Sequence, residues 1–408
     1  MSTSSTLKGV SSIALHTASQ SLPEHAHLNP IFATSTFTFD TADEGMQRFA
    51  GEAPGYIYSR WGNPSFTPVE HTIAALEARG ILNDDGTPLE LKALLHASGQ
   101  AAMSTLFLST LQSGDAVLSH YSLYGGTHEI LHKVLHDAGV TTIIVDMQQP
   151  ALVAAALQQH PHIKLVHIET PANPTIQCID IAAVAAIAQT HGVKVSVDNT
   201  FATPYLQQPF KYKDVDFVFH STTKFLNGHG TAMGGILLGK DIHFMETKAT
   251  KWHRLLGGNS NPFDAFLLHQ GLKTLELRME RHCSNAEQVA AFLAQHPKVV
   301  QVNYNGLPSH SGYAISQQQM KHPGAMLSFE LAGGLPQGKQ FIDKLQMLTK
   351  AVSLGTLDTL VSHPASMTHY GVPREERLKY GITDGLIRMS VGIENIEDII
   401  ADIAQALK

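Results

Sequence analysis

Apolar positions along the middle of the chain fall into two alternating rhythms. Short runs at 91–97, 117–120, 141–146, 164–169 and 193–198 have strand length, and Val193, Val195 and Val197 alternate toward one face. Between them lie stretches rich in Ala, Leu and Ile at 100–111, 127–138, 151–159 and 181–190, which read as helices. Strands and helices alternating at these lengths predict an α/β fold, a mostly parallel sheet covered by helices. Such sheets bind ligands beyond the carboxyl ends of their strands. Small and polar residues gather at those positions: Ser98 and Gly99, Tyr121 through Gly126, Glu169 through Asn173, Asp198, and Ser221 through Lys224.

The rhythm is absent at both ends. Residues 1–60 read as an arm, interrupted by Pro23, Pro30 and Pro54, with 34–39 as its one strand-like piece. After about residue 260 a helical stretch runs from Asn261 to about Gln295. Strands are then expected at 325–331, 350–354 and 386–391, with a closing amphipathic helix at 396–407. This predicts three parts: an arm at 1–60, a ligand-binding domain at 61–260 and a smaller C-terminal domain at 261–408.

Composition narrows the class. The 408 residues are 43% hydrophobic and 15% charged, which suits a packed core and not a disordered chain. The net charge of −7 argues against nucleic acid or an anionic membrane as partner. Two cysteines, Cys178 and Cys283, cannot build a disulfide framework and suit a reducing compartment. The polar start has no signal-peptide core, and no apolar run is long enough to span a bilayer. A cytoplasmic protein is expected.

Candidate chemistry centres on 216–230, D-F-V-F-H-S-T-T-K-F-L-N-G-H-G. Lys224 follows a strand and the hydroxyls of Ser221 and Thr223. Partial desolvation lowers an ammonium's pKa and frees the amine as nucleophile and base. The hydroxyls can donate to a phosphate. The same segment, taken alone, also reads as a surface lysine after an edge strand. Asp198 ends V-K-V-S-V-D and reads either as an acid beside a cofactor ring or as the cap of the next turn. Gly99 and Gln100 lie in a strand-to-helix turn, where free N–H groups suit a phosphate. Tyr58 and Arg60 lie in I-Y-S-R-W-G-N-P, and Arg60 offers a planar cationic fork. Tyr124, in L-Y-G-G-T, can stack on a ring or protonate a leaving thiolate.

These motifs, in this order, resemble the cysteine/methionine-metabolism family of pyridoxal-phosphate (PLP) enzymes. The similar segments run from about Asn29 to the C-terminus. The resemblance implies a fold-type-I PLP-dependent transferase fold, with PLP as cofactor and a homotetramer built from dimers with shared active sites. It makes Lys224 the Schiff-base lysine and Asp198 the partner of the pyridinium nitrogen. Gly99, Gln100, Ser221 and Thr223 would hold the phosphate, and Tyr58 and Arg60 would reach a neighbouring subunit's phosphate. Tyr124 would stack and act as acid. Arg388, in L-I-R-M-S-V-G, would clamp the substrate carboxylate, with Ser353 and Asn173 assisting.

Departures from the family pattern bear on the reaction. Cystathionine-handling members carry acids just before the residues matching Tyr58 and Ser353, where this chain has Ile57 and Val352. An apolar lining leaves a distal ammonium unpaired and suits a thioether methyl or an ester. A-V-S-L-G and H-P-A-S-M-T-H are similar to methionine gamma-lyase. Gly126 and Gln100, where that lyase has Cys and Met, look like the homoserine-ester sulfhydrylases. The expectation is gamma-elimination on L-methionine, with gamma-replacement on O-acetyl- or O-succinyl-homoserine as the alternative and a cystathionine enzyme third.

Two motifs point elsewhere. His128 through His132 reads H-E-I-L-H, the zinc-peptidase pattern when it lies on a helix. No Gly stands three residues after His132, so the longer metzincin form fails. Gly234 through Lys240 imitates a phosphate loop, but Asp241 replaces the magnesium-binding hydroxyl and the segment also reads as a strand. No metal site is expected.

Overall fold

A computed structural model describes residues 7–17 and 25–408. The polar start at 1–6, and Pro23 within the expected arm, lie outside the described residues.

Seven strands form the larger sheet: β1 (Lys92–His96), β2 (Ala116–His120), β3 (Thr141–Val145), β4 (Ile163–Glu169), β5 (Lys194–Asp198), β6 (Phe217–His220) and β7 (Gly235–Gly239). Their order is β1-β7-β6-β5-β4-β2-β3. Every pair is parallel except those of β7, which runs antiparallel to β1 and to β6. The sheet is thus mostly parallel, as the alternating rhythm predicts, with one reversed strand that the rhythm does not show.

Successive strand residues feed opposite cores, as a side-chain period of two requires. Leu95, Leu118, Val166, Val195, Val197, Val218 and Leu238 join one apolar cluster. Leu94, Val117, Leu165, Phe217, Phe219 and Leu237 join the other. With both faces covered, the strands read as nearly continuous apolar runs.

A second sheet collects the C-terminal strands β8 (Val299–Asn303), β9 (Met326–Leu331), β10 (Thr349–Lys350), β11 (Leu360–Ser362) and β12 (Leu386–Ser390) in the order β10-β11-β12-β9-β8. It is antiparallel apart from β10-β11. Leu327, Phe329, Ile387 and Met389 pack beneath the closing helix Ile396–Ala406 through Ile399 and Ile403. Alternation therefore turns Arg388 to the other face, in register with Ser328 on β9 and Ser362 on β11.

Four expectations need correction. Residues 34–39 form no strand, only an isolated bridge between Thr36 and Tyr58. The helical stretch after Asn261 is two helices, Pro262–Leu272 and Leu275–Ala294. The helix expected at 127–138 begins at Gly125 and contains a π-turn over Ile130–Val134. The strand expected at 350–354 ends at Lys350, and Ser353 within the expected range takes a left-handed φ of 90° that a strand does not carry. Among the described residues no helix is long and apolar enough to cross a membrane.

Candidate active site

Lys224, Ser353, Arg388 and Asn173 meet at the carboxyl edge of the larger sheet. The Lys224 amine donates to the Ser353 hydroxyl at 2.8 Å. Arg388 donates to the Ser353 carbonyl at 2.7 Å and to the Asn173 side-chain oxygen at 3.0 Å. Burial, reinforced by the Arg388 charge, pulls the Lys224 ammonium down to about 8. Burial also brings Arg388 down to about 10, which leaves it charged at neutral pH. The half-buried lysine is therefore an amine within reach of deprotonation, beside a cation held by two fixed oxygens.

Two carboxyls lie side by side across this edge. Glu169 ends β4 and Asp198 ends β5, and the two are register partners. Burial raises both above the ordinary carboxyl range, and the Asp198 charge raises Glu169 further. Asp198 accepts from the Thr200 amide at 2.9 Å, and the Thr200 hydroxyl accepts from the Ser221 amide at 2.9 Å. Glu169 accepts from the Tyr124 amide at 2.8 Å and the Asn173 amide at 3.1 Å. The sequence placed Glu169 at a strand end but gave it no role. Its signal was an acid closing the mostly apolar strand K-L-V-H-I-E.

An anion cradle adjoins them. Ser98 caps the helix Gly99–Thr110 by accepting from the Ala101 amide. The first amides of that helix, at Gly99 and Gln100, have no preceding carbonyl to bond. Gly99 is required here: a Cβ would lie 2.9 Å from the Ser221 Cβ. Thr223 is occupied by the turn into β7, its hydroxyl donating to the Gly234 carbonyl and accepting from the Gly234 amide. Gln100 reaches under Gly126, where a Cβ would overlap its amide nitrogen and lie 2.5 Å from a Tyr124 ring carbon. The Gln100 side-chain oxygen is buried without a partner.

Tyr124 is half exposed above this group. Tyr58 and Arg60 pair with each other and with the helix end at Arg254. The Arg60 guanidinium lies 5.7 Å from the Tyr58 ring centre and donates to the Arg254 carbonyl. Val352, next to Ser353, is exposed.

The competing motifs resolve differently. His128 and His132 bring their rings to 4.3 Å, but Glu129 is engaged by Lys133 at 2.6 Å. Among the described residues no group of three or more His, Cys, Asp or Glu is placed to hold a metal. The phosphate-loop imitation is β7 itself, buried throughout.

The cluster fits pyridoxal phosphate. A depressed lysine suits its aldehyde, a buried carboxyl suits its ring nitrogen, and unpaired helix amides packed against Ser221 suit its phosphate. A family model described as Cys/Met metabolism PLP-dependent enzyme matches residues 11–408. An L-methionine gamma-lyase of Porphyromonas gingivalis is 46% identical, covering 93% of this chain and 92% of that protein. An O-succinylhomoserine sulfhydrylase of Pseudomonas aeruginosa is 37% identical over 97% and 94%. A cystathionine gamma synthase structure from Xanthomonas oryzae pv. oryzae, in complex with aminoacrylate and cysteine, superposes with a TM-score of 0.89. It is 35% identical and covers 98% of this chain and 97% of its own. With Lys224, Asp198 and the Gly99 turn assembled at one sheet edge and the match spanning nearly the whole length, the chain belongs to the Cys/Met-metabolism PLP-dependent enzymes.

Proposed function

We propose that this protein is a carbon–sulfur lyase that converts L-methionine and water to methanethiol, 2-oxobutanoate and ammonia. One observation carries the reading: Lys224 and Arg388 converge on Ser353, one on its hydroxyl and the other on its carbonyl. A single residue thus separates the amine that handles protons from the cation that takes the carboxylate. The methionine assignment draws support from the 46% identical lyase and from Ile57 and Val352, which offer no partner to a distal ammonium.

Pyridoxal phosphate, when bound, supplies an electron sink that acidifies the α and β positions of an amino acid. Lys224 would hold it covalently, with Asp198 at the ring nitrogen and Tyr124 against the ring. Gly99, Gln100 and Ser221 would hold its phosphate, and Thr223 would join them by turning its hydroxyl proton away from the Gly234 carbonyl. Arg388 takes the substrate carboxylate in its fork, oriented by Asn173 and the Ser353 carbonyl. The Lys224 amine carries protons at the α and β carbons, and the Tyr124 hydroxyl protonates the departing thiolate.

Tyr58 and Arg60 complete the phosphate site of a neighbouring subunit in this reading, as the resemblance to the family implies. The arm at 1–60, a cofactor domain at 61–260 and a C-terminal domain at 261–408 then assemble into a cytoplasmic homotetramer built from dimers.

Gln100 and Gly126 favour a second reading, a sulfhydrylase acting on O-acetyl- or O-succinyl-homoserine. The deciding assay supplies L-methionine, then each ester with and without sulfide, and measures keto acid and homocysteine. Keto acid from methionine alone is expected. Homocysteine formed only from ester plus sulfide would overturn the lyase in favour of the sulfhydrylase.

A further inference from the structure

Glu169 joins two pieces of machinery, the turn that carries Tyr124 and the loop that seats Arg388. One carboxylate oxygen accepts from the Tyr124 amide at 2.8 Å and the other from the Asn173 amide at 3.1 Å. Tyr124 caps the helix that begins at Gly125, so this bond fixes where that turn starts. Asn173 receives Arg388, so the other bond fixes the carboxylate fork. Glu169 itself cannot drift. It is 4% exposed and closes β4, which lies between β2 and β5 in the middle of the sheet.

We propose that Glu169 is a positioning residue that sets the span between Tyr124 and Arg388, and so the distance from substrate carboxylate to leaving group. A carboxyl group is the side chain for this task, because each of its oxygens keeps a lone pair for one N–H donor whether or not the group is ionised, and both contacts are N–H donors. An amide at 169 satisfies one donor and opposes the other. The burial of the pair makes such a mismatch costly. The raised pKa of Glu169 follows from the same enclosure beside Asp198.

The test uses the holoenzyme and two readouts: kcat on L-methionine, and the affinity for L-norvaline, which carries the carboxylate but no leaving group. Glu169→Gln is expected to lower kcat and to weaken norvaline binding, each by tenfold or more, with cofactor content unchanged and the thermal midpoint lowered by the buried mismatch. Tyr124→Phe is expected to move mainly kcat and Asn173→Ala mainly norvaline affinity. Both should be less than additive with Glu169→Gln. If Glu169→Gln fails to fold, Glu169→Asp, shorter by one methylene, is read in the same way. The proposal is overturned if both readouts stay within threefold of wild type, or if only one moves. It is also overturned if both losses disappear once rate and binding are expressed per bound cofactor. The inference rests on the lyase reading only for the kcat arm. A wild type inactive on methionine defeats that reading, whereas normal norvaline binding by Glu169→Gln defeats the span.

Discussion

Lys224 and Ser353, 129 residues apart, are joined by one hydrogen bond of 2.8 Å from amine to hydroxyl. Ser353 reaches that place only by adopting a φ of 90°, a conformation that side-chain-bearing residues avoid. Its hydroxyl and its carbonyl serve different partners, Lys224 and Arg388. The strained turn is therefore the hinge of the site.

Substitution at Ser353 separates strain from contact. Ser353→Ala keeps the left-handed backbone and loses the hydroxyl, and should lower stability by about 1 kcal/mol. Ser353→Gly loses the same contact but relieves the backbone, so it should be the more stable of the two by about 1 kcal/mol. Both should lose activity to a similar degree, because both remove the oxygen facing Lys224. Denaturant unfolding with parallel kcat measurements checks the order. Equal stability of the two variants would show that the backbone at 353 is not under strain.

The lysine sets a pH dependence of the apoprotein. Its folded pKa of about 8 lies below the ordinary 10.5. A depressed lysine contributes stability that is complete above 10.5 and is lost as pH falls through about 8. Lys224→Met removes the buried charge, so the apo variant should melt higher than apo wild type below pH 8. The gap should close as pH approaches 10. In the wild type, covalent capture of pyridoxal phosphate, followed by visible absorbance, should speed up with pH, reach half its maximum near 8 and level off above that. Lys224→Ala should show no such band at all.

Arg388 differs from an ordinary strand arginine by its two fixed oxygens and its burial. Arg388→Lys keeps a positive charge but cannot reproduce the fork that meets Asn173 and the Ser353 carbonyl. Its KM for methionine should rise at least tenfold, with a smaller change in kcat, since the carboxylate is bound throughout the reaction. Norvaline affinity should fall in parallel. A change confined to kcat would mean that Arg388 does not hold the carboxylate.

Much of this arrangement was readable in advance, for identifiable physical reasons. Strands buried on both faces announce themselves as apolar runs, and their carboxyl ends bring Gly99, Asp198 and Lys224 to one edge wherever the register falls. Arg388 needs a second sheet to turn it inward, and its partners Asn173 and Ser353 come from distant segments, so only the family resemblance identified it. The reversal of β7 leaves no trace in the apolar pattern, because parallel and antiparallel central strands bury the same residues. Glu169 escaped for a related reason. Its role lies in two backbone amides, which sequence does not name.

The pair Gly126 and Gln100, noticed first as departures from a family pattern, are in direct contact. Gln100 fills the space that a side chain at 126 would occupy, and its buried oxygen finds no partner there. Gln100→Met should therefore hold or raise stability, because it removes an orphaned acceptor while keeping the volume. Gly126→Ala places a methyl against the Gln100 amide and 2.5 Å from the Tyr124 ring. The Gln100 tip can swing away. The Tyr124 backbone cannot follow, because Glu169 holds its amide. The ring should be pushed from its place, and kcat/KM on methionine should fall by about tenfold, or roughly 1.4 kcal/mol. Gln100→Ala/Gly126→Ala opens room on one side, so it should recover part of that loss, with a coupling of about 0.5–3 kcal/mol. Measuring kcat/KM across the four members of this cycle decides the matter. Strict additivity would show that the two residues act independently and that Gly126 is not kept small by Gln100.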